Sequence, residues 1–567
     1  MSEDRRMLPL NQAERKRRET ERGSTQADTL INLASSIELF HTPDGTAFAD
    51  VTVNEHRETW PVKSRGFRRW VIKRFYDTTS RAPNSEALQQ ALGVVEARAA
   101  FDSIGREIHV RVAAEGDKIY LDLCDPQWRV IEIDAKGWQL AKDVPVRFRR
   151  AAGMLPLPMP TQHGSVDALR QFLNVRSEED FTLVRACLHR ALRGRGPYPV
   201  LVLTGEQGSA KSSVSKMFRA LVDPSSVPLR TLPRDDRDLF IAANNAHALV
   251  FDNVSRLPDW LSDALCRIAT GGGFGTRSLY TNDEETLFDA QRPIILNGIE
   301  DVVDRADLAD RSIFLPLQQI PEERRRQEEE LWRAFEIARP AILGALLDDI
   351  ARGLRKLPNT KLPKLPRMAD FALWATACED HPHAFETAYA TNRRELVDNV
   401  IEADPVASAV HALMEQRPQW EGTATALLGE LVKLINETFA QSKHWPKNGR
   451  ALSGRLTRAA TFLRASGIHI ERTREGKVRD RTITLRRAEK TGNSASASSS
   501  SSNSKDFNSL PADTRRTLGG REVSSRDVNF APKTLEESDQ ADAADGADAK
   551  IPTGFGRQKA ESWEVEF

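Results

Sequence analysis

The chain has 567 residues, with 81 Lys or Arg balanced by 81 Asp or Glu and a formal net charge of zero. That length exceeds one hydrophobic core and implies three or four domains, while the balanced charge leaves partners to be read from local clusters. The scattered Cys124, Cys187, Cys266 and Cys378 make no C-x-x-C pair, no apolar run nears the roughly 18 residues that span a bilayer, and the N-terminus lacks a signal-peptide core, which excludes a disulfide framework and a membrane partner and predicts a cytoplasmic protein.

Residues 1–30 form a charged arm around Arg15–Arg18. Residues 31–160 read as an α+β domain. Asn84–Phe101 carries apolar residues at helical spacing, and Ile108–Val112 and Lys118–Cys124 flank the hairpin signal Glu115-Gly116-Asp117, with Arg129–Asp134 continuing the strands. Trp60–Tyr76 interleaves basic and aromatic residues. It suits stacking on bases and contact with phosphates, and it equally suits an amphipathic helix whose aromatics are core. No acidic cluster here resembles a primase metal site, so a primase or polymerase partner is expected on a separate chain.

Pro156–Gly164 is a proline-bearing linker, and residues 165–320 follow as an α/β core. The apolar run Pro199–Thr204 reads as a buried strand. It leads into Gly205-Glu206-Gln207-Gly208-Ser209-Ala210-Lys211-Ser212 and then into a helix starting at Ser213. A strand, a glycine-bearing loop and a helix N-terminus make a phosphate cradle, in which Lys211 adds a point charge and Ser212 a hydroxyl for Mg²⁺. Ala210 stands where the motif has glycine. About forty residues on, Ala246–Phe251 is an apolar strand ending in Asp252, the pattern of a carboxylate that holds Mg²⁺ together with Ser212. Asn253 occupies the position of a water-orienting base. An amide holds a water but cannot take its proton, which points to slow hydrolysis or to another base, with Asp263 and Glu300 as candidates. A third strand, Arg292–Leu296, ends in Asn297, placed for a γ-phosphate or the attacking water. Arg311, just before another apolar strand, suits an arginine finger acting on a neighbour's nucleotide; Arg305 is the alternative, and a surface salt bridge is the plain reading of either.

Residues 321–403 read as a helical lid region with helices at Glu322–Leu354, Arg367–Glu379 and Phe385–Ala403. Residues 404–488 read as a winged helix: a helix at Thr423–Ala440, a second at Arg450–Ser466, and a hairpin of Ile468–Arg472 and Arg481–Leu485. Between Lys443 and Lys490 there are 14 Lys or Arg against four Asp or Glu, an electrostatic footprint for phosphate. Arg450, Arg455, Arg458, Arg472, Lys477 and Arg479 are the DNA-contact candidates there. Residues 489–567, with the serine run Ser494–Ser504, read as a disordered tail whose end, Glu561–Phe567, is either inert or a docking peptide.

The order Gly205–Ser212, Phe251-Asp252-Asn253, Leu265–Tyr280, Pro293–Asn297 and Asp310-Arg311 resembles the AAA+ ATPase core of superfamily 3 helicases of the phage and plasmid primase–helicase type. The resemblance covers about 165–330. It implies ATP and Mg²⁺ as cofactors and a homo-oligomeric, hexameric ring. Gly205 to Ser213 would line the nucleotide, Lys211, Ser212 and Asp252 would meet phosphate and metal, Asn297 would be the sensor, and Arg311 the finger. The Ala-Lys-Ser variant is similar to the loop of minichromosome-maintenance helicases. The resemblance also implies a hairpin with a basic tip gripping single-stranded or forked DNA in the ring's pore. Here its strands are expected at Thr276–Tyr280 and Thr286–Phe288, with Phe274, Arg277 and Tyr280 offering stacking and charge, but the tip, Thr281–Glu285, is acidic and repels phosphate. Two readings follow: a replicative DNA helicase, or an ATP-switched DNA-binding initiator, loader or regulator that does not unwind.

Overall fold

The computed structural model describes residues 25–488 apart from 143, 273, 278–284, 289–290, 300–304, 382, 437–439, 443–444 and 476–479. Residues 1–24 and the tail from 489 onward, Glu300, the hairpin tip 281–284, Tyr280, Lys477 and Arg479 therefore lie outside the described residues, and nothing is described of the Arg277 side chain.

The N-terminal elements are α1 (Gln26–Ala34), β1 (Glu38–His41), β2 (Ala47–Val53), β3 (His56–Pro61), α2 (Arg65–Thr79), α3 (Ser85–Phe101) and β4 (Ile104–Gly105). The strands form a sheet of order β3-β2-β1-β4, antiparallel except for the β1–β4 pair. The helices close its core: Leu30 of α1, Phe67, Val71 and Phe75 of α2, and Leu88 and Val95 of α3 are buried with Ala49 and Val51 of β2. Thr25, Ser64 and Asn84 cap the three helices through side-chain oxygens, each accepting a backbone N–H of the first turn.

A short parallel pair, β5 (Ile108–His109) and β10 (Arg147–Phe148), brackets an antiparallel meander of β6 (Val112–Glu115), β7 (Lys118–Asp122), β8 (Val130–Asp134) and β9 (Gly137–Leu140). This meander is buried on both faces. Tyr120 and Val130 pack with Phe148, while Ile119, Leu121, Ile131 and Ile133 enter the core that also contains Phe181, Leu188, Ile342 and Leu346. It thus packs on the central body. Arg111, wholly buried, fastens it there: its Nε donates to Asp223 Oδ1 at 3.1 Å, and the other Asp223 oxygen accepts from the backbone N–H of His247 at 2.9 Å.

The central body contains α4 (Glu178–Ala191), β11 (Val200–Thr204), α5 (Lys211–Val222), α6 (Asp236–Asn245), β12 (Leu249–Val254), α7 (Asp259–Thr270), β13 (Phe274–Arg277), β14 (Glu285–Phe288), β15 (Ile294–Gly298), α8 (Ala306–Ala309) and β16 (Ser312–Pro316). Its sheet has the order β12-β15-β11-β16, all parallel. Along β11, Val200 and Val202 face one core and Leu201 and Leu203 the other, which is why the strand reads as a continuous apolar run. β13 and β14 pair antiparallel with Arg277 opposite Glu285, a register shifted slightly toward the N-terminus from the sequence expectation.

Beyond the sheet run α9 (Glu328–Lys356), α10 (Ala369–Cys378) and α11 (Ala384–Ala403). α9 starts six residues later than the sequence pattern suggests, because Pro321 leads into a single 3₁₀ turn at Glu322–Arg324. The last described elements are α12 (Pro405–Gln416), β17 (Gln419–Thr423), α13 (Ala424–Val432), α14 (Gly449–Ala465), β18 (Ile468–Glu475) and β19 (Asp480–Arg487). β19 lies between β17 and β18 in an antiparallel sheet. α13 is shorter than the expected 423–440, since at Lys433 to Ile435 the bonds tighten to i→i−3. Leu427, Leu431, Leu452, Leu456, Phe462, Ile483 and Leu485 form the core of this unit, continuous through Leu396, Ile401 and Val406 with one face of the parallel sheet. Among the described residues no helix is long and apolar enough to cross a membrane.

Candidate functional site

The four parallel strands end at one edge, and Lys211, Ser212, Asp252, Asn253 and Asn297 gather there, whereas Arg311 precedes the opposite end of β16. The loop after β11 is shaped by backbone demands. Gly205 has φ +144°, and a Cβ on it would stand 2.4 Å from the Leu317 carbonyl oxygen; Gly208 has φ +84°. Ala210 is left-handed at φ 64°, ψ 23°, where a side chain is strained and glycine is the ordinary occupant. The loop is braced from behind. Leu317 N–H donates to Thr204 O at 2.7 Å, Ile320 N–H to Gly208 O at 3.3 Å, and the Asn174 amide to Ser209 O at 3.1 Å and Gln318 O at 2.6 Å. Glu206, Gln207 and Gly208 are exposed at the crest, and Ser209 is wholly buried with its hydroxyl on Glu206 O.

Lys211, the first residue of α5, folds back over this loop. Its Nζ donates to Gly205 O at 2.6 Å, Glu206 O at 2.8 Å and Ser209 Oγ at 3.2 Å. Burial lowers its pKa and the nearby Asp252 carboxylate opposes that shift. Ser212 and Ser213 are half-buried in the same turn. The Ser212 hydroxyl donates toward both Asp252 oxygens, each at 3.1 Å, joining the helix start to the end of β12 across 40 residues of sequence.

β15, carrying Asn297, lies between the loop strand and the Asp252 strand. Asn297 is buried, and its amide is committed on both sides: Oδ1 accepts from the Asn253 N–H at 2.9 Å, and Nδ2 donates to Ser215 Oγ at 3.2 Å. Asn253 itself is exposed and left-handed at φ 56°, a conformation its short polar side chain tolerates. Asn297 therefore orients the turn that presents Asp252 and Asn253. Ser215 and Asn174 escaped sequence reading, since their partners lie 82 and 35 residues away with no local pattern to mark them.

The two arginine candidates sit outside this cluster of bonds. Arg311 donates from Nη1 to Asp307 O at 2.9 Å and pairs with the Asp307 carboxylate; Arg367 Nη2 reaches that carboxylate at 3.0 Å. Burial of Asp307 acts to raise its pKa, but the hydrogen bond and charge of Arg311 outweigh it and the net shift is downward. Arg305 pairs with Asp263 at 3.0 Å, which also occupies that candidate base. Asp310, beside Arg311, is buried between Arg367, at 2.7 Å, and Arg393. Among the described residues no group of three or more His, Cys, Asp or Glu is placed to hold a metal ion. The donors here, the Ser212 hydroxyl at the start of α5 and the Asp252 carboxylate on β12, suit a Mg²⁺ that arrives with phosphates and keeps several waters.

The second collection of predicted residues lies in the last unit. α14 turns Leu452, Leu456, Ala459, Phe462 and Leu463 inward. Outward it exposes Arg450, Gly454, Thr457, Arg458, Thr461 and Arg464, while Arg455 is half-buried. The side chains of Arg450, Arg455, Arg458 and Arg464 make no hydrogen bond or ion pair among the described residues. Arg472 of β18 does: Nη1 donates to Thr457 Oγ1 at 2.8 Å and Nη2 to Ser453 O at 3.1 Å, pinning the hairpin to α14.

Comparison with known proteins places these regions. Residues 166–400 match the family model of the actinomycete integrative conjugative element replication protein, and residues 406–502 match that of the AICE RepA C-terminal domain. The junction falls at Asp404, which ends α11 and caps α12 by accepting from Val406 and Ala407 N–H. No curated protein matches. Similar solved structures include the A form apo structure of the NrS-1 C-terminal region, at TM-score 0.37, and two further apo structures of that region, at 0.34 and 0.35. Each is 10% identical and covers 82% of this chain and 98 to 100% of its own.

Proposed function

We propose that this chain, matched over 166–400 and 406–502 by models of a mobile-element replication protein, is an ATP-binding and ATP-hydrolysing DNA-associated motor of the superfamily 3 helicase kind. The observation that carries the reading is the junction of Ser212, in the first turn of α5, with Asp252 near the end of β12, beside a glycine loop over which Lys211 is folded. The strand between those of the loop and of Asp252, with Asn297 near its tip, supports an AAA+ core, and the helices α12, α13 and α14 with the sheet of β17, β19 and β18 support a winged helix.

In this reading the loop N–H groups from Gly208 to Ser213 receive the phosphates, and Lys211 exchanges its carbonyl partners for phosphate oxygens. Ser212 and Asp252 hold Mg²⁺, which neutralises phosphate charge when bound. Asn297 fixes the turn at Asn253, and Asn253 orients water. Arg311 leaves Asp307 to complete a neighbour's site in a ring, so subunit assembly and hydrolysis are linked. α14 approaches duplex DNA with Gly454, Thr457 and Thr461 between its arginines; small side chains let a helix sit close to a groove floor. A separate primase or polymerase would act on the product.

Asn253 favours a second reading, an ATP-switched initiator or loader, because an amide cannot serve as the base for fast hydrolysis. Strand displacement on a forked duplex decides. ATP-dependent unwinding supports the motor, whereas tight ATP-modulated binding with no unwinding leaves the switch.

A further inference from the structure

The basic and aromatic stretch near the N-terminus is not absorbed by that function. In α2, Phe67, Val71 and Phe75 are core, and Trp70, half-buried, stacks on Phe67 with ring centroids 6.0 Å apart. The opposite face is solvent-exposed and carries Arg65, Arg68, Arg69, Lys73 and, one turn on, Tyr76, which is 56% exposed. Lys73 pairs with Asp77 at 2.6 Å, and the Arg74 guanidinium lies 5.7 Å from the Trp70 ring centroid. The side chains of Arg65, Arg68 and Arg69 have no hydrogen bond or ion pair among the described residues. Like charges three and four residues apart weaken a helix, so this row works against its own element. The element is nonetheless held in place. Ser64 caps it, and Gly66 lies so close to Trp60 that a Cβ there would stand 2.0 Å from the ring.

We infer that this face of α2 is a binding surface for single-stranded DNA. Three arginines in a row spanning about one turn supply phosphate contacts, and Tyr76 supplies an exposed ring for a base. The contrast with α14 selects the strand over the duplex: α14 intersperses its arginines with Gly and Thr, whereas the exposed Arg65, Arg68, Arg69 and Tyr76 are all long side chains, which hold the helix axis away from a groove floor. The inference rests on the chain being a DNA-binding replication protein. It adds a second contact, remote in sequence from the parallel-sheet edge and the basic C-terminal unit, that would hold the opened strand.

The test compares the full-length protein with Arg65→Ala/Arg68→Ala/Arg69→Ala and with the matching triple lysine variant. Binding of fluorescent oligo-dT and of a blunt duplex is measured by anisotropy across a salt series. The alanine variant is expected to bind oligo-dT at least tenfold more weakly, with the log–log salt slope shallower by about 2, from roughly 0.7 per lost contact on a single strand. The lysine variant should keep the wild-type slope, and duplex affinity should stay at the wild-type value in both. Unchanged oligo-dT affinity and slope overturn the inference, as does an equal loss on duplex, which would indicate a general charge effect. Duplex binding by the wild type, lost on Arg450→Ala/Arg458→Ala, reports on the earlier DNA reading separately.

Discussion

The edge of the parallel sheet and the outer face of α14 treat their polar groups in opposite ways. At the sheet edge the functional candidates already have partners in the chain: Lys211 on loop carbonyls, Ser212 on Asp252, Asn297 on Asn253 and Ser215; Arg311, at the opposite end of the sheet just before β16, is likewise held, on Asp307. On α14, Arg450, Arg458 and Arg464 project into solvent unpaired among the described residues. A site that positions a small anion needs groups preset to fractions of an ångström, so its side chains are crosslinked even at the cost of exchanging bonds with the ligand. A surface for a polyanion needs only charge at the right spacing, and its arginines gain little from internal ion pairs.

The largest effects should therefore come from the crosslinked side chains. Arg311→Ala should lower ATP turnover by about 10³-fold or more if Arg311 acts as a finger, while leaving nucleotide binding intact. Lys211→Ala should cost about 10²–10³-fold and weaken nucleotide binding as well. Both are read by steady-state hydrolysis alongside fluorescent-nucleotide titration, with duplex binding as the control. If Arg311→Ala hydrolyses ATP at the wild-type rate, its pair with Asp307 is structural and the finger assignment falls. If either variant also loses duplex affinity, the two regions do not work separately.

The comparison also locates the response to acid. His247 is fully buried next to the start of β12. Its Nε2 lies 2.7 Å from Ala191 O, and burial takes its pKa down to about 4, against the pull of Asp223 and with the repulsion of Arg292 and Arg111. The unfolded chain takes up this proton near pH 6.5 and the folded chain near 4. Stability is thus complete above about 6.5 and falls as pH drops toward 4, by about 3 kcal/mol at 1.36 kcal/mol per unit. Thermal melts should show that loss for the wild type and a smaller one for His247→Gln, whose amide can still donate to Ala191 O. Parallel slopes for the two proteins would place the acid sensitivity elsewhere.

On α14 the effects should be smaller and graded. Arg450→Ala and Arg458→Ala should each weaken duplex binding by about tenfold or less and lower the log–log salt slope by about 0.9, the value for one lost phosphate contact. Arg472→Ala should differ in kind. Its guanidinium is spent on Thr457 and Ser453, so it should loosen the hairpin and blur sequence preference with little change of slope. A full unit of slope lost on Arg472→Ala would return it to the phosphate contacts.

What the sequence made legible follows the same division. Local patterns were sufficient for the strand at 200–204, for the helix after the loop, expected from Ser213 and beginning at Lys211, for the strands that carry Asp252 and Asn297, and for the existence of α14, because each is set by periodicity and by glycine placement over a few residues. The exposed basic row of α14 was equally plain, since it depends on composition. Contacts between distant segments were not legible. Nothing near Asn297 announces Ser215, nothing near Ser209 announces Asn174, and the hydrophobic alternation of 112–140 does not say that its second face packs on α4 and α9. The aromatics of α2 illustrate the limit. Spacing put Phe67, Trp70, Val71, Arg74 and Phe75 near one face, yet only the packing of α1, β2 and α3 shows that Phe67, Val71 and Phe75 are core while Trp70 is half-buried and Arg74 exposed.

The smallest predicted effect tests the strain in the loop itself. Ala210 holds φ 64°, and an alanine there costs about 1–2 kcal/mol relative to the right-handed region. Glycine removes that strain but adds unfolded-state freedom worth about 0.4–1 kcal/mol, so Ala210→Gly should stabilise the protein by between roughly 0 and 1.6 kcal/mol. The same change should relax the bridge between Gly208 and Lys211, where Lys211 reaches back to Gly205 and Glu206. A loop with more conformers pays more to be fixed on a phosphate, so nucleotide affinity should fall slightly as the melting temperature rises. No comparable trade is expected on α14, where Gly454→Ala lies in a helix interior with open space around it, and should raise stability with no strain to relieve. If Ala210→Gly raised both melting temperature and affinity, strain at this residue would oppose the nucleotide-bound loop, and Ala210 would act as a brake on binding.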